Sequence, residues 1–169
     1  AARSSASDRS AALRTVVDHY SRLGGTRGSM AAEYAAHARF ILAEPTLTEF
    51  EDFSIDAGHP ATLEALAGPH GTLLTQIREG ATSAAHVRDE YNPVLEYGRP
   101  VWTVAALGRQ GRAYEVLASA ILNAPFVMPA DMERQFHRAS AEVRDELHTQ
   151  VEDRIRQALE PETRVVECL

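Results

Sequence analysis

Apolar residues at Leu13, Val16, Val17, Tyr20 and Leu23 recur three and four positions apart, the spacing that puts side chains on one face of a helix. Ser7 and Asp8 precede this stripe, and Gly24-Gly25 ends it. A second helix is predicted from a Ser29 cap, with Glu33 in its first turn and Met30, Tyr34, Ala38 and Ile41 as its stripe. Pro45 is expected to close it. A short helical piece follows from Thr46 or Thr48 through Phe53, then a break at Gly58-His59-Pro60. Thr62 to Ala67 reads as one or two helical turns, and Gly68-Pro69-His70-Gly71 as a turn. Thr72 to Glu79 fits helix and strand alike, and the polar segment from Asp89 is expected to break at Pro93. The longest periodic run starts at Pro129-Ala130-Asp131. Met132, Phe136, Val143, Leu147, Val151 and Ile155 predict a helix reaching about Leu159, stopped by Pro161.

One stretch decides the fold class. From Gly98 to Pro125 two apolar runs flank the polar turn Gly108-Arg109-Gln110-Gly111-Arg112. Tyr114, Leu117, Ala118, Ile121 and Leu122 match a helical template. Val101, Trp102, Thr103 and Val104 are β-branched or aromatic and favour a strand. Two glycines supply the freedom of a hairpin turn, and Pro100 and Pro125 bracket the pair as strand ends. Local physics leaves hairpin and helix nearly even.

A chain of 169 residues fits one domain, read here as 1–169 with flexible ends at 1–10 and 161–169. Its composition, 44% hydrophobic and 24% charged, is that of an ordinary globular protein. The net charge of −7 argues against direct nucleic-acid binding, which needs a basic footprint. No apolar run approaches the ~18 residues of a membrane span, so no membrane partner is expected. All 17 basic residues are Arg, which removes lysine Schiff-base chemistry. The one cysteine, Cys168, has no partner in the chain for a disulfide, and a reducing cytoplasm is the default expectation.

The order of pieces LLTQIREGATSAAHVRDEY, GRPVWTVAALGRQGRAYEVLASAILNAP and FVMPADMERQFHRASAEVRDEL, over about residues 73–155, resembles the second half of the effector-binding domain of IclR-type bacterial transcription regulators. That resemblance decides the hairpin question for a strand–turn–strand. It implies a GAF-like α+β fold, an antiparallel sheet flanked by helices with a long C-terminal helix. The alternative is an all-α helical bundle. The implied function is a small-molecule-sensing effector domain of a bacterial regulator, cytoplasmic and homodimeric, with no cofactor. The ligand-binding positions it implies are Asp89, Glu90 and Tyr91 as the acidic side of a pocket, and Val101, Trp102, Thr103 and Asn123 on the hairpin. The chain departs from the family at Ile121 and Asn123, where alternating serines are usual.

Two Glu-x-x-x-His pairs, Glu33/His37 and Glu133/His137, offer a second chemistry. Residues four apart share a helical face, so each pair presents a carboxylate and an imidazole together. On neighbouring helices of a bundle, the two pairs would make a metalloprotein or small enzyme. His59 and His70 sit in Gly/Pro turns as candidate proton-transfer residues, and residues 24–29 form at most a weak anion nest. Neither a serine elbow nor a phosphate loop occurs, so the chain leans away from an enzyme. An interaction domain without a ligand site is the remaining alternative.

Overall fold

Every segment that periodicity left between helix and strand is helical in the computed structural model, which describes residues 2–56, 58–125, 128–138 and 141–167. Seven helices follow one another among the described residues: α1 (Ala2–Arg22), α2 (Met30–Glu51), α3 (Leu63–Ala67), α4 (Thr72–Leu95), α5 (Pro100–Leu122), α6 (Ala130–Arg138) and α7 (Ala141–Glu167). No strand occurs among them. The expected antiparallel sheet is therefore replaced by an all-helical fold. The chain forms two compact units, one of Ala1–Asp52 with Ser83–Val116, the other of Phe53–Thr82 with Leu117–Leu169.

In the first unit α2 is the central helix. Ala32, Ala35, Ala36, Ala38, Ala43, Leu47 and Phe50 are all buried, and they do not share one face. Alanine projects a single methyl group, which allows neighbouring helices to approach closely. α1 runs antiparallel along one side, Val16 and Tyr20 lying towards Ala31 and Tyr34 and Leu13 towards Ile41 and Pro45. α5 runs parallel along another. Trp102 and the preceding Arg99 meet Glu33, Arg109 meets Glu44, and Arg112 meets Glu51, so both residue numbers rise together. α4 closes the third side through Arg39–Glu90 and the Phe40–Tyr91 ring contact. α4 and α5 form an antiparallel hairpin, with Gln110 Nε2 donating to Asn92 Oδ1 (3.0 Å) and to the Arg88 carbonyl (3.3 Å).

The second unit is organised around Ile55, Leu66, Leu73, Leu74 and Ile77, with Phe53, Ile121 and Ile155 packed against them. Thr62 caps α3 by accepting from Ala65 N, and the Gln76 side chain holds the Asp56 backbone as a strand neighbour would, accepting from its N–H and donating to its carbonyl. The Ala130 and Asp131 N–H groups donate to the Pro60 and Ala61 carbonyls (both 3.1 Å) and moor the start of α6. On α7, Val151 is fully buried.

Four expectations fail for identifiable reasons. The stretch expected as a hairpin is the single helix α5, with Pro100 at its first helical position, where a missing N–H costs nothing. Its inward positions Trp102, Ala106, Ala113 and Val116 follow helical spacing, while Val101 and Val104, counted as strand residues, point outward at 70% exposure. Gly108 and Gly111 sit on an open face of that helix and turn nothing. Pro45 does not end α2, because the buried Leu47 and Phe50 beyond it offset the lost hydrogen bond, worth about 3 kcal/mol. Pro93 likewise lies inside α4, with buried Tyr91 and Val94 on either side. α7 continues past Pro161 to Glu167. Cys168 lies outside the described residues.

The glycines give opposite predictions. A Cβ on Gly71, which opens α4 by accepting Thr75 N–H, would lie 2.5 Å from the Leu66 carbonyl oxygen. Gly71→Ala is expected to destabilise by about 1–3 kcal/mol. Gly108→Ala and Gly111→Ala meet nothing within 4 Å and should each stabilise by about 0.5–1 kcal/mol in denaturant titrations. Destabilisation by either of the latter contradicts a continuous α5.

Candidate functional site

Of the residues expected to form a ligand pocket, Glu90, Tyr91 and Trp102 fall instead on a packed seam of the first unit. Asp89 lies on exposed α4 surface and pairs with Arg88 at 2.8 Å, while Glu90 is taken by Arg39 at 3.3 Å. Tyr91 is fully buried, and its hydroxyl donates to Glu44 Oε1 at 3.0 Å. Burial, then the Glu44 carboxylate, pushes its phenol well above the ordinary value. The Arg109 guanidinium chelates the same carboxylate at 2.8 and 3.3 Å, so Glu44 joins three helices. Val101 faces solvent, and Thr103 only continues the α5 ladder by donating its N–H to the Arg99 carbonyl. Asn123, in the second unit, donates Nδ2 to the Ser119 carbonyl at 2.8 Å and finishes α5. Of the seven residues, Tyr91 and Trp102 are brought together, on either side of Phe40 with centroid distances of 5.4 Å each.

Trp102 is the most engaged side chain of the seam. Its indole N–H donates to Glu33 Oε1 at 2.8 Å, and Arg99 Nε donates to Glu33 Oε2. Arg99 first, then the indole N–H, holds the Glu33 carboxyl below its ordinary range. His37, one turn along α2, lies flat on the indole at 4.4 Å with 13° between the planes. Glu33 and His37 do share a face, as their spacing predicts, but both are committed to α5. In the second unit Glu133 and His137 approach to 3.8 Å on exposed α6 surface. Among the described residues no group of three His, Cys, Asp or Glu side chains is placed to hold a metal ion.

The candidate site is a groove that sequence reasoning did not single out. It has a volume of about 340 Å³ between α1 and α2, lined by Thr15, Val16, His19, Tyr20, Leu23, Ala31 and Tyr34. Leu23, Met30 and Tyr34 are 63%, 66% and 63% exposed, so a cluster of large apolar side chains stands open where α1 turns into α2. The turn is made by Gly24, Gly25 and Gly28, all at positive φ, a conformation glycine adopts without strain. It is tied down by Gly28 N–H to the Tyr97 carbonyl (2.9 Å) and by the Tyr20–Tyr97 ring contact. Ser29 caps α2 through the Ala32 N–H, as its position predicts. A second groove of about 790 Å³ lies farther along α1 and α2, with Arg9, Glu44, Thr48 and Glu49 among its walls. The signal for the first groove was present in the stripe of α1, which is wider than one neighbouring helix covers; periodicity does not say which part stays open.

The chain matches no family model, no curated protein and no solved structure. No helix among the described residues is long and apolar enough to cross a membrane.

The His37–Trp102 stack makes a spectroscopic prediction, because Trp102 is the only tryptophan. His37→Ala uncovers one face of the indole, so Trp102 emission should shift to longer wavelength and become more accessible to acrylamide, with the helical circular dichroism unchanged. Emission and quenching that stay as in the wild type contradict the stack.

Proposed function

We propose that this chain is an all-helical small-molecule-binding domain whose ligand lies in the α1–α2 groove. The observation that carries the reading is the groove itself. Its walls are mostly apolar, Thr15, His19 and two tyrosines supply the few polar groups, and its volume is in the range of small-ligand sites, about 300–1,000 Å³. Large apolar side chains left open cost solvation free energy of about 25 cal/mol per Å² of apolar surface, which an apolar ligand recovers. A ligand there touches both α1 and α2 and stabilises their packing by RT ln(1 + L/Kd), with L the free ligand concentration, a gain that keeps growing as L rises. The sensing role expected from the sequence thus moves from α4 and α5 to the first two helices. It no longer uses Asp89, Glu90, Val101 or Asn123.

The test uses N-phenyl-1-naphthylamine, a neutral aromatic probe that fluoresces on entering an apolar site. The protein should enhance its emission saturably. Ala31→Trp, which fills the groove from the α2 wall, should abolish the enhancement while leaving the helical circular dichroism intact. Unchanged probe binding by Ala31→Trp would place the apolar site elsewhere and overturn the reading.

A further inference from the structure

The charges around the groove narrow the ligand class, an inference that rests on the groove being a binding site. The chain carries −7 overall, yet the last turn of α1 is basic, with His19 in the groove wall and Arg22 three residues on. Arg22 donates its Nε to the Asp18 carbonyl at 3.4 Å and makes no ion pair among the described residues, so its terminal nitrogens remain available. On the helices that wall the groove, Asp18 is exposed on α1 and Glu33 is already neutralised by Arg99 and bonded to Trp102, while Glu96 lies beyond the groove next to Tyr97. The negative end of the α1 dipole is muted here, because the His19, Tyr20 and Ser21 carbonyls accept from Leu23, Gly25 and Gly24. The positive end of α2 opens at Met30, beside the groove residue Ala31. Apolar walls with a cationic edge are complementary to a molecule that is apolar along its body and negative at one end.

We propose that the groove takes an amphipathic organic anion, an aromatic or aliphatic body carrying one carboxylate or sulfonate. The body lies against Val16, Tyr20, Leu23 and Tyr34, and the head lies beside His19 and Arg22. The imidazole donates a hydrogen bond to the head and the guanidinium supplies the charge. Neither group is needed to hold the fold, since both are exposed.

Two probes with the same aromatic body separate the charge from the groove. N-phenyl-1-naphthylamine is neutral, and 8-anilinonaphthalene-1-sulfonate adds one sulfonate. Both are titrated into wild-type protein and into the His19→Gln/Arg22→Gln variant at low and high salt. The variant should weaken the sulfonate probe about five- to ten-fold, a charge-assisted contact, and leave the neutral probe within about two-fold. Salt should weaken only the sulfonate probe, because it screens exposed charges. If both probes bind and the variant affects them equally, the anion preference is overturned while the groove stands. If neither binds the wild-type protein, the groove reading fails and this inference fails with it.

Discussion

The close packing of alanines along α2 is the constraint on which the first unit depends. Ala32, Ala35, Ala36 and Ala43 are completely buried and Ala38 nearly so, and they face more than one neighbour. A helix covered on three sides cannot show an amphipathic stripe, and it tolerates little added bulk at these positions. The polar residues of α2 follow from the same geometry. Glu33, Arg39 and Glu44 sit at the borders between neighbours, where each reaches a partner on α4 or α5. Glu44 is the most connected of them, since Tyr91 and Arg109 both bind it.

Much of the helical content was legible in the sequence. The α1 stripe, the Ser29 cap and the helical turns from Thr62 follow from residue spacing and capping chemistry, and the C-terminal periodic run is helical, though as α6 and α7 rather than one helix. The α4–α5 region was not legible, because β-branched residues and glycines report local preference while tertiary burial decides. In α5 the β-branched Val101 and Val104 lie outward, and the residues that fix the helix are the small buried Ala106 and Ala113, which carry almost no periodic signal. Pro45 misled for a related reason. A proline penalty of about 3 kcal/mol is smaller than what burial of Leu47 and Phe50 contributes beyond it.

The candidate site was hidden for a different reason. Tyr91, Trp102 and Glu33 carry strong chemistry in the sequence, and the structure uses them to join helices. Leu23, Met30 and Tyr34 look like core residues and stand open. Apolar spacing identifies which residues share a face. Only packing shows that three glycines between α1 and α2 leave part of that face without a neighbour.

Native-state hydrogen exchange on α2 tests the central claim most directly. A helix enclosed by α1, α4 and α5 opens only when the unit unfolds, so its buried amides should exchange through global unfolding. The account predicts that amides from Ala36 through Phe50, on both sides of Pro45, are the slowest in the first unit and share one opening free energy. Amides of α2 that exchange as fast as those in the outer turns of α1, or protection that ends at Pro45, would contradict it.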